Sequence, residues 1–167
     1  MSLTRFCRSI PIFGGLEGRS LDHVLSLLQE HNYAQGATIF SKGELGRTMY
    51  VLREGEVDVL CPASNGRMIP IVRLGPGECF GEMALVELQP RSATILVRKK
   101  AKAFSLNNMD LYTLYRADNY AYVIVLQNIC RMISRRLRKA DSRISDFLAA
   151  SEQVRPRAAK GRKRLTG

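Results

Sequence analysis

Tryptophan is absent from this chain, and cysteine occurs four times and proline six times in 167 residues. No apolar run approaches the ~20 residues needed to cross a bilayer, and the first residues lack the long apolar core of a secretion signal. A membrane span is therefore not expected, and a cytoplasmic location is. Cys7, Cys61, Cys79 and Cys130 are scattered, with no pair at zinc or redox spacing. Free thiols in a reducing compartment are the expected state. His23 and His31 have no cysteine partners nearby and read as ordinary helix residues, so no metal is expected. No Ser-His-Asp set, HExxH run or metal cluster stands out. The chain reads as a binding protein and not an enzyme, with no cofactor.

Acid is also scarce: 15 acidic residues face 26 basic ones, a net charge of +11. Six of the basic residues (Arg155, Arg157, Lys160, Arg162, Lys163 and Arg164) fall in an acid-free C-terminal stretch. From about Ser151 onward the composition predicts a disordered basic tail over 151–167. Such a tail can touch nucleic acid through phosphates alone, unspecifically and with steep salt dependence. Nucleic acid is thus the alternative partner and not the expected one.

What is present divides into three parts. Ser20 is a plausible N-cap for a helix reaching about His31, with Leu21, Val24, Leu25 and Leu28 on one face. Glycine then punctuates short runs rich in β-branched and aromatic residues at 37–40, 49–52, 57–61 and 68–74. Two more such runs follow at 92–97 and 101–106. Short strands with turns about every 8–12 residues predict a sandwich or barrel. Helices return near Asn108. Val123, Leu126, Cys130, Ile133, Leu137, Ala140, Ile144 and Phe147 then alternate three and four apart, a heptad seam. A helix from about Tyr120 to Ala150 would be roughly 46 Å long. That is hard to bury against one small domain, and it predicts a homodimer packed along the seam. The basic flanks of this helix (Arg131, Arg135, Arg136, Arg138, Lys139, Arg143) would raise the potential felt by an anionic ligand.

The most informative stretch runs from Gly81 to Ala93. A glycine opens a single helical turn, Glu82 lies in it, and Arg91 is expected on the strand that follows. A helix start offers free N–H groups to an anion. Arg91 adds a permanent cation whose fork fits two phosphate oxygens. An acid beside a phosphate site makes sense if the ligand also offers a sugar hydroxyl, which a carboxylate accepts. Phosphate and ribose hydroxyl in one small pocket indicate a nucleotide.

The runs Phe80-Gly81-Glu82-Met83-Ala84-Leu85 and Pro90-Arg91-Ser92-Ala93-Thr94 resemble the phosphate-binding cassette of cyclic nucleotide-binding domains. That family includes the catabolite activator group, protein kinase A regulatory subunits and cyclic-nucleotide-gated channels. The resemblance implies a mixed, mainly β fold: an eight-stranded β-roll with N-terminal helices, a short cassette helix and a long C-terminal dimerisation helix. It divides the chain into a roll with flanking helices (1–117), the dimer helix (118–150) and the tail. It implies that Glu82 accepts from the ribose 2′-hydroxyl and that Arg91 grips the cyclic phosphate. The Gly81 turn, the N–H groups of Met83 and Ala84, Ser92 and Ala93 complete the cradle. Val59 and Val72 are the implied apolar base contacts. On the dimer helix, the positions where the catabolite activator group reads adenine with a Thr-Ser pair fall on Ala140 and Asp141, a departure from the family pattern. Asp141 can accept from an adenine amine or from guanine N–H groups, and the Ser92 hydroxyl suits cAMP and cGMP alike; the reading leans to cAMP. The implied role is a receptor that repositions helices towards a separate protein effector. The catabolite activator branch would add a helix-turn-helix, for which the chain shows no sequence after the seam.

Overall fold

The computed structural model describes residues 2–87 and 89–154. Helix α1 (Leu3–Arg8), a 3₁₀ turn (Pro11–Phe13) and helix α2 (Gly18–Leu27) lead into the sheet. The strands are β1 (Gln29–Tyr33), β2 (Thr38–Phe40), β3 (Thr48–Pro62), β4 (Met68–Leu74), β5 (Cys79–Phe80) and β6 (Thr94–Asn107), with the single-turn helix α3 (Met83–Val86) between the last two. Helices α4 (Asn108–Ala117) and α5 (Asn119–Val154) follow. Every pairing is antiparallel, in the order β1-β6-β3-β4, with β2 added to β6 and β5 to β3. Helices at both ends of an antiparallel roll match the expected architecture.

Six strands stand among the described residues where eight were expected. The runs 49–52 and 57–61 are halves of β3, and the runs around 92–97 and 101–106 are carried by β6. The register between β3 and β6 slips between Leu52 and Val57. Gly55 sits at this slip with φ +88°, and a Cβ there would overlap the Lys100 carbonyl. Bulges of this kind bend a strand and increase its twist, so one long strand carries both runs and pairs with β4, β5 and β6.

Two local expectations change. Helix α2 begins at Gly18 and ends at Leu27, because Gln29–Tyr33 pairs with Ala101–Ser105 of β6. His31 is therefore a strand residue, its Nε2 2.8 Å from the Ser105 hydroxyl. Ser20 does not cap the helix; its hydroxyl donates to Asp118 at 2.7 Å. The start of α4 at Asn108 follows the sequence: Asn107 accepts from the N–H groups of Met109 and Asp110, while Asp110 accepts from the Asn107 N–H, a reciprocal capping box.

The roll encloses a core of Phe40, Leu52, Val57, Leu74, Phe80, Ile95, Val97, Ala101 and Ala103. Each large apolar side chain buried this way contributes about 1.5–3 kcal/mol. The helices bury Ile12, Phe13, Leu21, Val24, Leu114, Ala121, Val125 and Ile129. The buried Asn128 amide ties α5 to the N-terminal turn, donating to the carbonyls of Ile12 (3.2 Å) and Gly14 (2.8 Å).

The chain divides into two compact units, Met1–Met132 and Ile133–Gly167. In the first, α5 buries Ala121, Val125 and Ile129, a stripe offset from the heptad seam, and leaves the seam residues Val123 and Cys130 exposed. In the second, the seam residues Leu137, Ile144 and Phe147 are exposed, Phe147 by 72%. Of the disordered basic tail expected over 151–167, residues 151–154 instead continue α5, and residues 155–167 lie outside the described residues.

Candidate functional site

The cassette is built by three segments of the first unit. β5 ends at Phe80, and Gly81 turns the chain with φ +75°. A left-handed residue is easily glycine and rarely anything else. Close packing adds a second reason: a Cβ at 81 would lie 2.7 Å from Arg91 Nη1 and 3.0 Å from the Thr48 carbonyl. Glu82 follows as the N-cap residue of α3. The turn closes through the Ala84 N–H, which donates to the Gly81 carbonyl at 3.2 Å, and the Leu85 N–H, which donates to Glu82 at 3.0 Å.

Arg91 was expected on a strand. It lies in the loop before β6, which begins at Thr94. The loop is pinned to the β2–β3 connection: the Arg91 N–H donates to the Glu44 carbonyl and the Gly43 N–H donates to the Arg91 carbonyl, both at 2.8 Å. The flanking Leu45 and Pro90 form an isolated antiparallel bridge. A two-sided backbone clamp thus fixes the arginine's Cα, with no ladder of its own strand.

The side chains converge. Glu82 is 6% exposed and Arg91 8%, two ionisable groups almost withdrawn from water at one turn. Groups of this type are rarely so buried without partners. Arg91 Nη1 donates to the Gly81 carbonyl at 3.2 Å. Its guanidinium carbon stands 3.9 Å from the centroid of the Phe40 ring. Burial pushes this arginine below its ordinary range, against the attraction of Tyr50, Glu44 and Glu82. Ser92 is exposed, its hydroxyl 3.9 Å from the Met83 sulfur, and the half-buried Ala93 precedes β6. Gly81, Glu82, Met83, Ala84, Arg91 and Ser92 therefore meet in one place.

Val59 and Val72 face each other across the β3–β4 pairing, both half-buried against the roll core. The Cys61 thiol, two residues beyond Val59, stands 4.0 Å from the Ser92 carbonyl, so this end of β3 runs beside the cassette loop. Ala140 and Asp141 are exposed residues of the second unit. A cleft of about 440 Å³ lies elsewhere, lined by Gln35, Gly36, Asp58, Leu96, Val97, Arg98 and Lys99, and includes no cassette residue. It is an open surface depression around Asp58, which is paired with Arg73 (2.9 Å) and Arg98 (3.4 Å). Among the described residues no group of three or more His, Cys, Asp or Glu side chains could hold a metal.

Sequence reasoning missed Phe40 and Gly46. A Cβ on Gly46 would overlap the Arg91 guanidinium, so this glycine leaves room for it. Neither residue bears a chemical signature, and both are brought in by the β2–β3 connection from over forty positions away.

The family model for the cyclic nucleotide-binding domain matches residues 30–118. The chain belongs to the cyclic nucleotide-binding domain family. It is 34% identical to the cyclic AMP receptor protein of Thermus thermophilus, over 89% of this chain and 66% of that one. It is 35% identical to a potassium channel protein of Rhodopseudomonas palustris, over 63% of this chain and 25% of the channel. The crystal structure of the T. thermophilus catabolite activator protein superposes with a TM-score of 0.73 at 34% identity, covering 83% of this chain and 63% of that chain. The chain thus spans between a quarter and two thirds of the length of these curated relatives. Among the described residues no helix is long and apolar enough to cross a membrane.

Proposed function

We propose that this chain is a cyclic nucleotide receptor, a regulatory binding module without enzymatic activity, that takes cAMP in preference to cGMP. The observation that carries the reading is the burial of both Glu82 and Arg91 at the Gly81 turn, whose carbonyl accepts from Arg91. Arg91 presents a guanidinium to the cyclic phosphate, and Glu82 accepts from the ribose 2′-hydroxyl. The Met83 and Ala84 backbone, Ser92 and Ala93 complete the cradle, and Val59 and Val72 line the base. A base-reading role for Ala140 and Asp141 rests on the family resemblance alone. The preference for cAMP is supported by the similarity to the T. thermophilus cyclic AMP receptor protein.

The receptor works by preferring one arrangement of its helices when the cassette holds phosphate. A separate protein effector reads the changed surface. The protein is a homodimer through Leu126, Cys130, Ile133, Leu137, Ala140 and Ile144, a reading supported by the exposure of Cys130, Leu137, Ala140 and Ile144 and by the burial of a different stripe, Ala121, Val125 and Ile129, in the first unit. A cytoplasmic setting fits the free cysteines Cys7, Cys61, Cys79 and Cys130.

Thermal melts with each nucleotide test the reading. Ligand that binds only the folded state at a hundred times its Kd stabilises by about 2.7 kcal/mol, a rise of several degrees. Equal melting temperatures with cAMP, cGMP and no ligand would reject the receptor. Chromatography after incubation with cAMP should show no AMP; its accumulation would reject the non-enzymatic assignment.

A further inference from the structure

A buried arginine needs compensation for lost water, and the compensation must not consume the groups that bind ligand. A carboxylate bound to its fork would satisfy the cation but occupy the in-plane N–H donors that a phosphate requires. At this site the cation meets neighbours of another kind. Arg91 lies over the face of Phe40, with 3.9 Å between the guanidinium carbon and the ring centroid. A ring face attracts a cation through its quadrupole and accepts no in-plane hydrogen bond. Glu44 and Glu82 act on the cation through space, and one donor, on Nη1, goes to the Gly81 carbonyl.

The ring is itself held on several sides. Phe40 closes β2 and is 7% exposed. Its centroid is 6.1 Å from Tyr50 on β3 and 6.1 Å from Phe80 on β5, and those two rings stack at 5.2 Å. A Cβ on Gly81 would meet the Phe40 ring edge at 3.4 Å. Three strands therefore lock the plane on which the arginine rests. Opposite requirements meet at Gly46, where the absence of a side chain leaves space for the guanidinium.

We infer that Phe40 is the positioning residue of the phosphate site: its ring orients the Arg91 guanidinium through a cation–π contact and leaves the fork to the cyclic phosphate. This inference rests on the reading of the cassette as a phosphate site and adds to it a residue outside the cassette. Part of the ordering of the arginine is done before ligand arrives, which lowers the entropy cost of capture. The same residue replaced by an aliphatic one keeps the core apolar and loses the orientation.

The test varies the electronics of the ring at nearly constant shape. Mono-, di- and trifluorinated phenylalanines are placed at position 40 of the full chain, and affinity for cAMP and cGMP is measured by titration calorimetry. Fluorine drains the ring face of negative charge, so affinity should fall step by step, by about tenfold overall for a desolvated contact. Phe40→Tyr should stay within about threefold of the unmodified chain, and Phe40→Leu should match the most fluorinated ring. A role in packing alone leaves the fluorinated series flat, because the core volume barely changes. A flat series in a chain that binds cyclic nucleotide overturns this inference and leaves the receptor reading standing. Failure of the unmodified chain to take up either nucleotide overturns both.

Discussion

Arg91→Ala is the sharpest perturbation of the cassette. Arg91 is 8% exposed as a residue and its Nη1 donates to the Gly81 carbonyl at 3.2 Å, so a phosphate bound to it sits against a largely desolvated, oriented cation. Truncating one partner of such a charge pair costs about 2–5 kcal/mol, roughly 30-fold to 4,000-fold in Kd. The unliganded protein behaves differently. Burial already disfavours this cation, and the attraction of Tyr50, Glu44 and Glu82 opposes that burial. Removing the charge cancels both effects, so the unliganded variant should melt within a few degrees of wild type. The assay is a pair of melting curves at a cAMP concentration about one hundred times the wild-type Kd. Wild type gains about 2.7 kcal/mol there, and a variant weakened 30-fold gains about 0.9 kcal/mol or less. An undiminished shift in the variant would refute the assignment of phosphate to Arg91. A large loss of unliganded stability would instead mark Arg91 as a structural brace.

Ile133→Asp places a carboxylate in the heptad seam, and sedimentation should then show monomers at concentrations where wild type is dimeric; a persistent dimer would move the interface elsewhere. Gly55→Ala puts a Cβ where the Lys100 carbonyl stands, at φ +88°, and should lower stability by more than about 1 kcal/mol in a denaturant melt. Asp118 is held below the usual carboxylate range by the Ala121 N–H, the Ser20 hydroxyl and His23. A depressed carboxyl contributes stability above its unfolded value, near 3.9, and loses it as pH falls through the folded value. Asp118→Asn should therefore destabilise at neutral pH, and the gap to wild type should close below about pH 4; a gap constant with pH would show that the charge is not involved.

The cassette was legible because its chemistry is local. Gly81, Glu82, Arg91 and Ser92 stand within a dozen residues, so the turn and its neighbours read from the local sequence, although Arg91 was expected on a strand and lies in the loop before β6. The start of α4 was legible for the same reason, since Asn107 and Asp110 cap each other. What the sequence could not show depends on pairing between distant segments. The helical periodicity of Leu21, Val24, Leu25 and Leu28 runs smoothly into His31, yet the partner strand at Ala101–Ser105 claims Gln29–Tyr33 for the sheet. The runs 49–52 and 57–61 read as separate strands because Gly55 looks like a turn, whereas it bends one continuous strand. Phe40 looks like any core aromatic until β2 and the β2–β3 connection bring it beneath Arg91. The seam was legible as a pattern, and the structure adds which stripe of α5 its own unit uses.

On the proposed reading, buried Glu82 and Arg91 recognise the ribose and phosphate of one cyclic nucleotide. Titration calorimetry of the purified chain with cAMP, cGMP and 5′-AMP tests it most directly. Both cyclic nucleotides should give heat, with tighter binding of cAMP, and the linear 5′-AMP should give little or none. Absence of heat from cAMP and cGMP alike, at protein concentrations that detect micromolar binding, would contradict it.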